Sequence, residues 1–199
     1  MLKKYLIAVI VLGMALFVGC SKSSTSHNPY ENYSDQELLD SGWENYANNE
    51  FEQSLDFFNE MINRNTRLSE ANNGLGWSYA KLDSLSKSLN YFDEALAENP
   101  SNQTKDDCLA GKCFVKDAQN QAQTCLDYSL EISNSWQFEY DQNLNYDDII
   151  VLRATSFYSL ANFSSSLIEI QKLEPDFQVD VSTVEGRISL AEKIESLRN

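Results

Sequence analysis

The chain has 199 residues, and its 30 acidic side chains outnumber 15 basic ones for a net charge of −15 at neutral pH. That balance argues against a protein that neutralises nucleic-acid phosphates or adheres by charge to anionic lipid. It describes a solvated acidic surface and leaves a basic partner open, and the length suffices for one helical array around a continuous core.

The first element in chain order is a leader. Residues Met1 to Gly19 begin with Lys3 and Lys4 and continue as an apolar run from Tyr5 to Val18, the layout of a secretory signal peptide. The run is short for a full membrane span, although an uncleaved anchor competes with cleavage. Phe17-Val18-Gly19-Cys20 resembles a bacterial lipobox, with phenylalanine where leucine is usual. The resemblance implies a lipidated Cys20 as first residue of the mature chain, held to the membrane of the cell envelope by several acyl chains because one alone is marginal. Ser21 resembles outer-membrane sorting, facing the periplasm in a cell with two membranes. Without Lys3 and Lys4 the balance becomes 13 basic against 30 acidic side chains. Ser21 to Tyr33 is a Ser/Thr/Asn/Pro tether without apolar periodicity, unable to bury enough surface to fold alone. Its His27, the only histidine of the chain, reads as inert.

Helices follow. Ser34-Asp35-Gln36-Glu37 is a capping box, in which the serine accepts an N–H and the glutamate reaches back. It opens the first helix, and Asn48-Asn49 marks the turn that ends it. Phe51 to Asn63 carries Leu55, Phe58 and Ile62 at helical spacing. Leu68 to Lys81 and Leu85 to Glu98 form a second pair, Lys105 to Lys116 and Gln119 to Ser133 a third, Asp147 to Leu160 and Phe163 to Leu173 a fourth. Ser182-Thr183-Val184-Glu185 is a further capping box. The helix it opens has Val184, Ile188, Ala191, Ile194 and Leu197 on one side. An open array needs such a helix to cover its terminal apolar face. The expectation is an all-α array over 34–199, with units near 35–68, 69–102, 103–134 and 147–178, an insert at 135–146 and a capping helix at 182–198.

The pairs repeat at a step of 34 residues. Gly42-Trp43, Gly76-Trp77 and Ala110-Gly111 are in register. Twelve residues after the first member of each pair stand Ser54, Ser88 and Ala122, and sixteen after stand Phe58, Phe92 and Leu126. A fourth copy begins at Ala154, 44 residues after Ala110, and carries Phe163, Ser166 and Ile170. Its Pro175 comes three places early, so its second helix is expected to be short. The second copy reads Leu75-Gly76-x-x-Tyr79, Ser88-x-x-x-Phe92, Ala95 and Pro100. It resembles the tetratricopeptide repeat, a helix–turn–helix unit of 34 residues. Gly76 and Ser88 let two helices approach, Tyr79 and Phe92 fill the wedge, and Pro100 stops the second helix. Departures are Asn72 in the family's usual tryptophan place, Ser41 and Asn45 where the second copy has Leu75 and Tyr79, and Cys113 in the tyrosine column. The resemblance implies a right-handed α-α superhelix.

It also implies a groove lined by the first helix of each unit. The groove columns hold Leu39, Trp43 and Tyr46 in the first unit and Asn73, Trp77 and Lys81 in the second. The third contributes Asp107, Phe114 and Val115, and the fourth Val151, Thr155 and Tyr158. Trp43 and Trp77 are equivalent and are expected on one wall, at least one of them open to a ligand; the competing reading packs these rings between helices or under the insert. Large rings with polar tips suit a peptide or partner helix. Only Asn73 and Lys81 match the carboxylate clamp of chaperone-tail-binding members, so that function is set aside. The insert Trp136-Gln137-Phe138-Glu139-Tyr140 alternates aromatic and polar residues, a strand-like period. Packing of its rings on the third unit, with a bridge to the fourth, is preferred over an exposed recognition loop, because three free rings make a costly patch.

Cys108, Cys113 and Cys125 allow three single pairings. A Cys113–Cys125 bridge across one unit is the one to test, although buried unpaired cysteines are the preferred reading. No histidine or second cysteine pair completes a zinc site. No nucleophile–histidine set or phosphate loop is legible, so neither catalysis nor a cofactor is expected, and Asp106-Asp107 and Asp147-Asp148 read as helix caps. The function expected is a membrane-anchored scaffold that binds a protein or peptide in the bacterial cell envelope. The alternative is glycan or peptidoglycan binding, by sugar stacking on exposed tryptophans.

Overall fold

The computed structural model describes residues 28–198. The leader, Cys20 and the tether as far as His27 lie outside the described residues. Nine α-helices occur among the described residues: α1 Asp35–Ala47, α2 Phe51–Asn63, α3 Leu68–Lys81, α4 Leu85–Ala97, α5 Asn102–Ala118, α6 Ala122–Ser129, α7 Tyr146–Ser159, α8 Phe163–Leu173 and α9 Val184–Arg198. Each odd helix from α1 to α7 packs on the next even one, and each even helix from α2 to α6 touches the following odd one. The helices α1, α3, α5 and α7 also touch one another in turn, whereas α2, α4, α6 and α8 do not. First helices therefore form an inner layer and second helices an outer one. The result is an all-α solenoid of stacked hairpins.

The 34-residue step has a steric cause. Phe58 and Phe92 are fully buried, and each ring lies between glycines of two successive inner helices. A Cβ on Gly42 would meet the Phe58 ring at 2.6 Å, and one on Gly76 would meet the Phe92 ring at 2.5 Å. Gly74 and Gly111 close the far sides of the same two rings. The outer helix thus drives a phenylalanine between two inner helices that carry no side chain there. The serine column completes the contact: Ser54 Oγ lies 2.9 Å from Ser78 Oγ, and Ser166 Oγ donates to the Ala154 carbonyl at 2.8 Å.

Turns inside the hairpins repeat as well. Asn49, Asp83, Asn120 and Ala161 have φ of 61°, 54°, 57° and 59°. The next residue's N–H closes each turn, Glu50 onto Asn45 O and Asn162 onto Phe157 O, both at 2.8 Å, which is the Schellman arrangement at a helix C-terminus. Asparagine and aspartate tolerate the left-handed region, but alanine gains nothing from it. Ala161→Gly is expected to raise stability by about 1 kcal/mol, read as a thermal midpoint a few degrees higher.

Termini are capped largely as the sequence signals. Ser34 Oγ accepts from Glu37 N at 3.2 Å, and the Glu37 carboxylate accepts from Ser34 N at 2.8 Å. Asn145 and Asp148 form a second capping box at α7. At α9 the cap moves by one residue: Thr183 Oγ1 accepts from Gly186 N at 3.0 Å, while Ser182 turns to Asp180. Gly186 then occupies the place of a reciprocal glutamate, and a Cβ there would strike the Asp180 carbonyl.

Four further expectations are corrected. First, α6 stops at Ser129 after eight residues, shorter than α8 with 11. The buried Arg153 guanidinium of α7 donates to the Ser129 carbonyl and, at 3.3 Å, to Ser129 Oγ, a cation placed at a helix C-terminus. Second, α9 is turned relative to the expected face. It buries Gly186, Leu190 and Ile194 and leaves Val184 and Ile188 exposed, because Leu190 and Ile194 join Ala154 and Ile170 in a second core. Third, Cys113 and Cys125 form a disulfide, with Cα atoms 4.4 Å apart. The tight α5–α6 hairpin brings the two positions face to face, while Cys108 stays free and buried. Fourth, the tether's last residues are not loose. Tyr30 packs edge-on against Phe57 at 5.2 Å, and Arg64 donates to the Tyr30 and Tyr33 carbonyls at 2.6 Å.

Candidate functional site

The inner layer is where the expected groove residues lie, and one segment covers it. The insert between α6 and α7 forms a strap over 136–144 that turns at 139–140 and 142–143 and folds back so that Gln137 bridges Asn145. Its alternation becomes alternating burial: Trp136 and Phe138 are buried and Tyr140 half-buried, while Gln137 and Glu139 are exposed. Alternate residues thus turn the three rings toward the helices. Phe138 N donates to Leu144 O at 2.9 Å and Tyr146 N to Trp136 O at 3.0 Å, so the strap folds back on itself and meets the helices through side chains.

Those side chains reach further than the third unit, which corrects the expected docking on the third and fourth units. Trp136 does anchor to α5, where its Nε1–H donates to Asp107 Oδ1 at 2.8 Å, and Gln103 donates to the same oxygen at 2.9 Å. Beyond it, Phe138 enters a cage made by Trp77, stacked at 4.3 Å, with Trp43 at 5.8 Å and Tyr46 at 6.0 Å. Tyr140 lies flat on Trp43, with centroids 3.8 Å apart and planes within 1°. Lys81 Nζ stands 3.6 Å from the Asp141 carboxylate. The strap thus leaves the third unit at the Trp136–Asp107 bond and reaches the first at the Tyr140–Trp43 stack.

The expectation that a tryptophan lies open is therefore corrected. Trp43 and Trp77 share one wall, but they are only 4 % and 3 % exposed because the strap fills the space before them. Leu39, Tyr46, Asn73 and Val151 are buried too. Asn73 Oδ1 accepts from the Cys108 thiol at 3.4 Å. Lys81 remains exposed and Phe114 half-buried, 6.1 Å from Trp77. In the fourth unit, Tyr158 bonds the Arg187 carbonyl of α9 at 3.2 Å, and Thr155 bonds Val151 within α7, so these columns do not join the strap site. Asp107 was legible only as a groove column or cap; its partner Trp136 lies 29 residues away.

The electrostatics are unusual beneath the strap. Burial pushes the Asp107 carboxyl up to about 7, with Asp106 and Glu139 adding to it and the Trp136 and Gln103 donors opposing it. Burial likewise raises Tyr46, and it lifts Tyr140 to about 12 with help from Glu139. Tyr46 OH and Trp77 Nε1 are buried without a hydrogen-bond partner. Beside the strap an apolar cavity of about 220 Å³ opens between Trp77, Leu85, Phe114, Val115, Ala118 and Leu144. On its other edge Asp40, Glu44 and Glu139 line one shallow recess with Trp43 and Tyr140. Among the described residues no group of three or more His, Cys, Asp or Glu side chains gathers as a metal cage.

Fold and site together define a helical-repeat array whose inner face is covered by the chain's own aromatic strap. No protein-family model matches the chain, and no curated protein matches it.

Proposed function

We propose that this chain is a tetratricopeptide-type scaffold, lipid-anchored through Cys20 in the bacterial cell envelope, that binds a protein or peptide partner on its inner helical face. One observation carries the reading: that face already holds a non-helical segment by its rings, the segment being the chain's own strap. Stacked helix pairs present a surface much wider than a small-molecule pocket. The glycan alternative draws no support from Trp43 and Trp77, whose faces are taken by Tyr140 and Phe138.

The reading is tested by crosslinking in native envelopes, with a photoreactive residue at position 81 or 144 and, for comparison, at position 130 on Leu130, which is 60 % exposed. A defined partner captured from the strap positions and not from 130 supports it. Equal labelling from every position, or none, sinks the inner-face scaffold. Radiolabelled fatty-acid incorporation that is lost in Cys20→Ala tests the anchor.

A further inference from the structure

We propose that the strap is a displaceable internal ligand: the inner face is a docking surface for a partner segment with aromatic side chains at alternate positions and basic ones between them, and the strap keeps that surface closed until the segment replaces it. This rests on the scaffold reading above and specifies both the partner and its regulation.

The strap defines what the surface recognises. It presents three rings at alternate positions toward the inner helices, and the cage of Trp43, Tyr46 and Trp77 receives the middle one. Backbone bonds within the strap run to the strap itself and its flanks, Phe138 to Leu144 and Tyr146 to Trp136. Ties to the helices are few: Trp136 on Asp107, Gln103 Nε2 on the Gln137 carbonyl at 3.1 Å, and the Lys81–Asp141 pair. A segment held by rings and a few polar contacts can be exchanged for another that offers the same rings.

The strap is also an imperfect occupant, in three ways that name a better one. It seals Tyr46 OH and Trp77 Nε1 without acceptors, and a buried donor left unpaired is costly. A partner whose backbone carbonyls reach those donors gains what the strap lacks. It brings Glu139 to the recess of Asp40 and Glu44, where like charges repel and a lysine or arginine would be drawn in. It leaves the apolar cavity between Phe114, Val115 and Leu144 unfilled, a foothold beside the strap for a partner's first apolar side chain.

The experiment uses the full chain and a labelled peptide with Trp-Lys-Phe-Lys-Tyr at its centre. Hydrogen exchange of 136–146 reports the strap, and fluorescence anisotropy reports binding. Phe138→Ala is expected to speed strap exchange at least tenfold and tighten peptide binding at least tenfold over the unaltered chain. Asp141→Asn, which weakens the Lys81 pair while its amide oxygen can still accept from Asn143 N and Nδ2, is expected to shift both in the same direction by about threefold, and it keeps the test valid if the core variant misfolds. Replacing the peptide's phenylalanine by alanine is expected to abolish binding. The proposal is overturned if the strap opens and the peptide still fails to bind, if neither variant changes strap exchange, or if binding is equal with the strap open and closed. A partner captured from native envelopes alongside a silent peptide overturns the strap proposal alone, whereas loss of both removes the scaffold reading as well.

Discussion

Phe92→Ala is expected to cost about 3–5 kcal/mol of unfolding free energy, as is the equivalent truncation of Phe58. The ring is fully buried, meets Trp77 edge-on at 5.9 Å, and fills a slot that Gly76 and Gly111 leave open on two different helices. Neither glycine can reach into the void, so the cavity persists and the α3–α5 junction loses its wedge. A domain stable by about 5–15 kcal/mol keeps only a fraction of that after such a loss. The opposite error is also costly. Gly76→Ala drives a methyl group into the ring and is expected to cost about 1–3 kcal/mol by overpacking. Leu130→Ala, at a site 60 % exposed, should stay within about 0.5 kcal/mol. Urea unfolding of the three variants checks the ranking; a Phe92→Ala midpoint equal to that of Leu130→Ala would falsify the wedge.

The second large effect is a stability that falls as pH rises toward neutrality. Asp107 holds its proton to about pH 7 in the folded chain, against an ordinary 3.8, chiefly because it is buried. The folded state therefore binds more protons than the unfolded state between these two values. The contribution is complete below about pH 3.8 and disappears as pH passes through about 7, a span worth at most on the order of 4 kcal/mol. Burial acts in the same direction on Asp106 and Asp148. The acid limb has the opposite cause. Glu37, Glu60 and Asp180 are lowered by hydrogen bonds from Ser34, Arg64 and Ser182 respectively, so their contributions are lost as pH falls through those depressed values. Asp107→Asn isolates the neutral limb, since an amide oxygen still accepts from Trp136 and Gln103 but carries no charge. The variant should match the unaltered chain at about pH 3, exceed it by about 1–2 kcal/mol at pH 5 and by about 4 kcal/mol at pH 8. Parallel stability profiles for the two chains between pH 5 and 8 would place the cause elsewhere.

The unit was legible because its signals are local. Gly42 and Gly76, Ser54 and Ser88, Phe58 and Phe92 recur at 34 residues since each set meets in the same helix crossing. The strap's period was legible too, as alternation from Trp136 to Tyr140. Its destination was not. Which rings receive Phe138 depends on how far the strap reaches and on Trp43 and Trp77 standing on adjacent inner helices, almost a hundred and about sixty residues earlier in the chain. The groove columns were therefore placed in the correct layer, while their exposure was misjudged.

The face of α9 shows the same division. Val184, Ile188 and Ala191 make one apolar arc, and Leu190, Ile194 and Leu197 make another that lies beside it. Nothing within the helix chooses between them. The choice falls to Leu190 and Ile194 because Ala154 and Ile170 wait there and because Gly186 allows the Asp180 carbonyl to come close. Pairing of Cys113 with Cys125 was likewise decided by the α5–α6 crossing rather than by their spacing.

By itself the sequence determined the helix pairs, their 34-residue step, the break before the fourth unit and the alternation of the insert's rings, because helix period, caps and steric wedges act between residues close in the chain. Only the tertiary structure decided that the insert closes the inner face, that Asp107 is buried beneath it, and which arc of the last helix meets the core. Those outcomes depend on surfaces that become neighbours only after the units have stacked, and on the burial that stacking creates.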